Sequence, residues 1–220
     1  MKFGRIDYLN LLPFFVFIKK NIKSSRVKQL INYKKSYPAD INKKFLRGEI
    51  DGAFISSILS DKKRFKCQDL GIISKKEVFS VLIDSSEKGD DKESATSNIL
   101  AKVLEIDGKI IIGDKALKLY LKNPIKYIDL AKEWQNRTNL PFVFARLCFN
   151  KKLPIFKKIT DRFIKSEIKI PQYILTKYSQ NRQIAKKDIL NYLKLISYKL
   201  DYKSKKSLKL FLKKSKKYKK

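Results

Sequence analysis

The sequence predicts an α/β protein. Short apolar runs of strand length recur, as in "GAFIS" and "KIII". Each leads through small polar residues into a helical pattern. The third observation is bulk: 220 residues that are 43% hydrophobic suffice for a core, in one large domain or two small lobes. Strands alternating with helices favour largely parallel sheets.

Lys2–Ile6 reads as the first strand and Tyr8–Asn10 as a turn. Leu11–Lys20 then reads as a buried helix with Pro13 in its first turn, where a missing N–H costs nothing. Val27–Tyr33 has no decisive period. "YPADINKKFLRGEID" reads as a helix opened near Pro38 and closed near Gly48, with Ile41, Phe45 and Leu46 on one face. Gly52–Ile55 is a small apolar strand expected to deliver Ser56 and Ser57 to another helix start. Val78–Ile83 reads as a strand interrupted by Ser80, and Ser85–Glu93 is the most linker-like stretch. Ser94, Thr96 and Ser97 open the next helix with a strong capping composition. Ile110–Ile112 is a strand, followed by a tight Gly113–Asp114 turn and a helix to Leu121. A helix over Leu130–Thr138 precedes a strand over Phe142–Phe149. From Pro154 the pattern is helical, with breaks near Pro171, Ser179 and Asp201, and this last third is expected to pack over the first half.

Charge and rare residues narrow the chemistry. The 52 Lys+Arg against 21 Asp+Glu give a formal +31, which alone suggests nucleic acid or an anionic membrane surface. The lysines are scattered, however, and thicken only after Tyr198, with no zinc spacing, RNP-like motif or P-loop beside them. A Lys-biased, solvated surface is the better reading, with no specific nucleic acid and no membrane partner. Such a field still draws in small anions. Cys67 and Cys148 lie far apart in different contexts, so a disulfide framework is not expected. No apolar stretch approaches membrane-spanning length and no signal peptide is visible, so a cytoplasmic location is expected. Histidine is absent, which excludes every imidazole base, His triad and His–metal site. Chemistry must come from carboxylates, hydroxyls, amides, backbone dipoles, Lys, Arg or Tyr.

Strand, small polar residues, helix: this event recurs at Tyr8–Asn10, Ser56–Ser57, Thr96–Ser97 and Gly113–Asp114. In open α/β sheets the strands' carboxyl ends face the ligand crevice, and helix N-termini there offer N–H groups to anions. Each site alone reads as a helix cap. Four together point to a cleft that cages a carboxylate without histidine or metal.

The blocks "GRIDYLNLLPFF", "GEIDGAFISSI", "VFSVLI", "ESATSN", "IIIGDKAL" and "EWQNRTNLPFVFA" resemble, in order, the chorismate dehydratase family of menaquinone biosynthesis by the futalosine route. They cover most of residues 1–149; "ILNYLKLISYKLDYKSKKSLKLF" resembles the family's helical C-terminal segment more loosely. The resemblance implies a two-lobed, periplasmic-binding-protein-like (type II) fold with a ligand cleft between lobes and a helical C-terminal segment. The expected division is residues 1–84 with 178–220 as one lobe and 85–177 as the other. It also implies loss of water from chorismate to give 3-[(1-carboxyvinyl)oxy]benzoate, with no cofactor and no metal. Two departures are visible: a short, charged connection from Ser80 to Ser94, and Asp7 where many relatives have Ser. A sister enzyme making 1,4-dihydroxy-6-naphthoate is thought to use a histidine, so a histidine-free chain fits it poorly. The rival from another class is a noncatalytic binding protein or sensor for a small carboxylate.

Within that reading Asn10 and Ser80 are the candidate catalytic residues. Asn10 either hydrogen-bonds the departing hydroxyl or enolpyruvyl oxygen, or caps a helix. Ser80 is a contact or a buried hydroxyl bonded to backbone. Tyr8, Ser56, Ser57, Thr96, Ser97 and Asp114 are the candidate substrate-binding residues. Tyr8 walls the pocket or donates its phenol; the hydroxyls grip carboxylates; Asp114 is an acid, a base or only an N-cap. Glu133 and Trp134 read as surface charge and core. With no evident protein base, the substrate's enolpyruvyl carboxylate is expected to take the proton.

Overall fold

The computed structural model describes residues 2–21, 32–151 and 154–218. The chain enters through β1 (Lys2–Arg5), a 3-10 turn over Leu9–Leu11 and α1 (Leu12–Asn21). Pro13 sits in the first turn of α1, and the helix is buried from Leu12 to Ile18. Its phenylalanines have aromatic partners: Phe14 meets Phe54 at 5.0 Å and Phe163 at 5.3 Å between centroids. Next come β2 (Asn32–Lys35), α2 (Pro38–Leu46), β3 (Gly52–Ser56) and β4 (Lys66–Ser74). The chain then crosses into β5 (Val81–Asp84), α3 (Ala95–Leu104), β6 (Lys109–Ile112), α4 (Gly113–Lys122) and β7 (Tyr127–Asp129). It returns through α5 (Leu130–Thr138) and β8 (Phe142–Phe149), and ends with α6 (Pro154–Lys165), α7 (Gln172–Arg182), α8 (Lys186–Lys194), β9 (Ile196–Lys199) and α9 (Tyr202–Ser215).

Two sheets result, one in the order β2-β1-β3-β8-β4-β9 and one in the order β6-β5-β7. Among the described strands only β1 with β2 and β1 with β3 pair in parallel; the other strand pairings are antiparallel. The expected parallel sheets are therefore corrected. β8 and β9 re-enter the large sheet from later in the chain and run against β3 and β4. The expected lobe division does not follow sheet membership either. β5, ending at Asp84, belongs to the small sheet, and β8 is central in the large one. The α5 and α9 side packs through Trp134, whose ring meets Phe142 at 5.4 Å and Phe211 at 6.0 Å. Its indole N–H donates to Ser207 Oγ at 2.9 Å.

Several local expectations change for identifiable reasons. Of the undecided Val27–Tyr33, residues 27–31 lie outside the described residues, and the rest joins β2. No helix follows Ser57: Ser60 closes a single turn onto the Ser56 and Ser57 carbonyls, and the chain moves on to β4. β4 itself escaped notice because its register with β8 shifts twice, which breaks the period-2 pattern. The strand expected over Val78–Ile83 begins only at Val81, because Phe79 adopts φ 58°. The helix expected to break at Ser179 runs to Arg182 and stops at left-handed Gln183. β9 interrupts what reads as continuous helix. Cys67 and Cys148, separated by 81 residues, stand directly opposite each other on β4 and β8 and form a disulfide. That correction needs the sheet register, which spacing in sequence does not carry. Among the described residues no helix is long and apolar enough to cross a membrane.

Candidate active site

A cavity opens where the two sheets face each other. The large-sheet side supplies Ile6, Tyr8, Asn10 and Leu11 after β1, Phe54 and Ser56 on β3, Ile72 on β4, and Phe144 and Ala145 on β8. The other wall is Val78, Ser80 and Val81 on the crossing to the small sheet, Ser94, Thr96 and Ser97 at the start of α3, and Ile112 with Gly113 at the start of α4. It leaves about 80 Å³ for the centres of water-sized spheres. One water needs about 10–15 Å³ by that measure, so the space suits a small molecule. Among the described residues no charged side chain lines it. Its polar groups are hydroxyls, one amide, one phenol and the starts of two ten-residue helices, whose N-terminal dipoles favour an anion.

Of the eight candidate residues, Tyr8, Asn10, Ser56, Ser80, Thr96 and Ser97 line this one cavity. Tyr8 donates its phenol to Glu93 Oε2 at 2.7 Å, across the cleft. Burial, and then that carboxylate, push the phenol's pKa well above its ordinary value, so Tyr8 stays protonated. Its ring lies over Gly113, where an added Cβ would meet a ring carbon at 2.6 Å. Asn10 sits in the 3-10 turn, and its backbone carbonyl accepts the Tyr198 phenol at 2.8 Å. The Ser80 hydroxyl hydrogen-bonds the Tyr192 phenol at 2.9 Å. Ser80 also accepts the Gly113 N–H at its carbonyl, at 2.9 Å. Ser56 is gripped twice by the buried Asn42 of α2: the amide donates to Ser56 Oγ, and the amide oxygen accepts Ser56 N–H at 3.1 Å. At the start of α3, Ser94 is the cap, accepting Ser97 N–H at 3.2 Å while its hydroxyl donates to Ser97 Oγ at 2.7 Å. Thr96 Oγ1 lies 3.5 Å from the Ile58 N–H.

Two candidates lie elsewhere. Ser57 is fully buried outside the cavity lining, its hydroxyl donating to the Val143 carbonyl and its N–H to the Phe144 carbonyl. Both donors are used by β8, so neither is free for an anion. Asp114 also stands outside the lining. It accepts Leu9 N–H at 2.9 Å and pairs with Arg182, whose guanidinium also donates to the Asp7 carbonyl at 2.6 Å. Burial pushes its carboxyl up, against the two hydrogen bonds that hold it charged. Its work is to tie the first turn of α4 to the turn that carries Asn10. Asp7 likewise faces away from the cavity, toward Arg5 at 3.1 Å, Tyr178 at 2.8 Å and Arg182 at 3.4 Å.

The supports were the part missed. Tyr192 lies three positions after Ile189 on the buried face of α8 and reads as core. Asn42 sits beside Ile41 and near Phe45; an amide on that apolar face was the available signal. Asp129 is a third: it caps α5 through Ala131 and Lys132, and also accepts Val78 N–H at 2.8 Å and Phe79 N–H at 2.6 Å. It thereby pins the left-handed turn that presents Ser80.

Two segments of the sequence, residues 1–106 and 95–217, match the menaquinone biosynthesis family. The chain belongs to that family. Over 215 residues it is 49% identical to the chorismate dehydratase of Campylobacter jejuni, covering 97% of this chain and 96% of that protein. Solved structures extend the likeness in fold alone. A protein of Archaeoglobus fulgidus superposes with TM-score 0.71 at 11% identity, over 99% of this chain and 97% of that one. The periplasmic aliphatic sulphonate binding protein of Escherichia coli gives TM-score 0.58 at 10% identity, over 99% and 86%. This family member thus has the periplasmic-binding-protein-like fold, with two sheets and the cavity between them.

Proposed function

We propose that this chain is a chorismate dehydratase, a hydro-lyase that removes water from chorismate to give 3-[(1-carboxyvinyl)oxy]benzoate. Membership of the menaquinone biosynthesis family and the 49% identity to a chorismate dehydratase support the reading. The observation that carries it is the cavity's chemistry: hydrogen-bond donors and helix starts in an apolar wall, with no charged side chain lining it among the described residues. Such a site suits an anion that brings its own base.

Chorismate is that substrate. The proton at ring carbon 3 is acidic through the conjugated double bond to the ring carboxylate. When the enolpyruvyl carboxylate takes that proton, the electron pair moves into the ring carboxylate system. It then returns to expel hydroxide from carbon 4, and the ring becomes aromatic. Proton and hydroxide together make the water lost, so atoms and charge balance. The protein's share is orientation and electrostatic stabilisation in a water-poor site. Asn10 and Ser80 face the reacting carbons in this reading; Ser56, Ser94, Thr96 and Ser97 with the α3 start hold a carboxylate. Tyr8, protonated and bonded to Glu93, closes the mouth.

The test is chorismate with purified protein, following loss of the diene absorbance and formation of the benzoate product. Turnover that is unaffected by chelator is expected. Binding of chorismate without turnover would favour instead a noncatalytic binding protein for a small carboxylate; one solved structure of this fold is an aliphatic sulphonate binding protein.

A further inference from the structure

Arg182 is the last residue of α7, which belongs to neither sheet. Its guanidinium donates to the Asp7 carbonyl at 2.6 Å through one nitrogen and to the Asp114 carboxylate through another. The second oxygen of that carboxylate accepts the Leu9 N–H at 2.9 Å. Asp7 and Leu9 flank Tyr8 and lead into Asn10, while Asp114 lies in the first turn of α4, beside the small sheet. We propose that Arg182 is a positioning residue, which acts through Asp7 and Asp114 to set the turn carrying Asn10 at a fixed place against α4. The proposal rests on the role just given to Asn10.

The physical need is specific. The 3-10 turn over Leu9–Leu11 has no side-chain cap from Tyr8, the residue before it. Leu9 is fully buried, so its N–H requires a partner inside the protein. Asp114 supplies it from 105 positions further along the chain. A carboxylate turns easily about its last torsion, and a single bond to Leu9 would leave it loose. With one oxygen on Leu9 and the other on Arg182, that torsion is fixed. The guanidinium is planar and its N–H groups form a rigid fork, so Asp7 and Asp114 are held at a set separation. Arg182 is itself braced. Its guanidinium carbon lies 4.4 Å from the centre of the Tyr178 ring, and the Tyr178 phenol donates to Asp7 Oδ1 at 2.8 Å. The side chains of Arg182 and Asp114 are only 17% and 14% exposed, so water competes weakly for their contact. Neither residue lines the cavity. Arg182 therefore reaches the reaction only by way of the main chain at Leu9, one residue before Asn10. The hydroxyls at the start of α3, on the opposite wall, lie outside this relay.

Arg182→Lys keeps a cation for Asp114 and deletes the fork. On chorismate it should lower kcat about 10–100-fold, the range that a small misplacement of a reacting group commands, with KM changed less than about threefold. In an Asn10→Ala background the same substitution should cost much less, because the group being positioned is already gone. A merely structural role predicts the same loss in both backgrounds, and that result, or no loss in either, would overturn the proposal. Should Arg182→Lys fail to fold, Asp114→Asn serves in its place. It keeps an oxygen for the Leu9 N–H and removes the carboxylate from Arg182, so the same dependence on Asn10 is expected. A second readout needs no substrate: the backbone amide of Leu9 in the free protein. Its resonance should shift and its exchange with solvent should quicken in Arg182→Lys, or in Asp114→Asn, while Phe3 and Gly4 of β1 stay as they were. A Leu9 amide that does not move overturns the relay. If the unaltered protein fails to consume chorismate, the dehydratase reading falls, and the Leu9 amide still decides whether Arg182 orders the turn.

Discussion

Asn10 is where a single atom separates catalysis from capping. Its replacement by Asp removes an N–H donor and sets a carboxylate against a dianionic substrate. Loss of one preorganised donor costs about 10²–10³ in kcat, and the repulsion adds to that. Asn10→Asp should melt within a few degrees of the unaltered protein, since the 3-10 turn is held by the Tyr198 bond to its carbonyl. A stable variant with full turnover would remove Asn10 from the chemistry. Asp84 offers a residue-level test of electrostatics away from the cavity. The Lys126 ammonium at 2.8 Å and the Ser86 hydroxyl hold its carboxyl down to about 2, against burial, from an ordinary 3.8. A lowered folded value means stability that is full above the unfolded pKa and lost as pH falls through the folded one. The melting temperature should therefore drop between about pH 4 and pH 2. In Asp84→Asn that segment of the curve should flatten, while the variant melts lower near neutral pH.

At the scale of elements, the decisive junction is β6 to α4. Gly113 has φ 72° and lies under the Tyr8 ring. Gly113→Ala meets both obstacles: a left-handed backbone costs about 1–2 kcal/mol for a residue with a Cβ, and the methyl group pushes against Tyr8. Lower melting temperature and a KM raised several-fold are expected together; a lower melting temperature with unchanged KM would separate Tyr8 from the site. This junction also shows what the sequence makes legible. "IIIGD" announces a strand, a turn and a helix start because those signals are local. The same holds for α5 and β8, whose expected bounds match, with Asp129 as cap and left-handed Asn139 at the helix end. Six of the eight candidate residues meet at the cavity because strand ends and helix starts converge there. Ser57 and Asp114 do not, since a hydroxyl or carboxylate beside the cleft can be consumed by a neighbour from a distant segment. Tyr192, Asn42 and the Cys67–Cys148 pair were invisible for the same reason: their roles depend on partners that only tertiary register supplies.

For the whole molecule, the formal +31 surrounds a cavity that has no charged lining among the described residues. Long-range attraction and local recognition are thus carried by different residues. Screening falls on the first and spares the second. Raising ionic strength should increase KM for a dianion moderately and leave kcat almost unchanged. A kcat that fell with KM held constant would mean that charge enters the chemical step.

Two lengths of chain join the sheets, residues 75–80 outbound and 130–141 on return. The Asp129 carboxylate grips both, through Val78 and Phe79 on one and Ala131 and Lys132 on the other. Loss of that one carboxylate would accordingly loosen both crossings at once. Ser80, one residue beyond Phe79, would lose its footing with them.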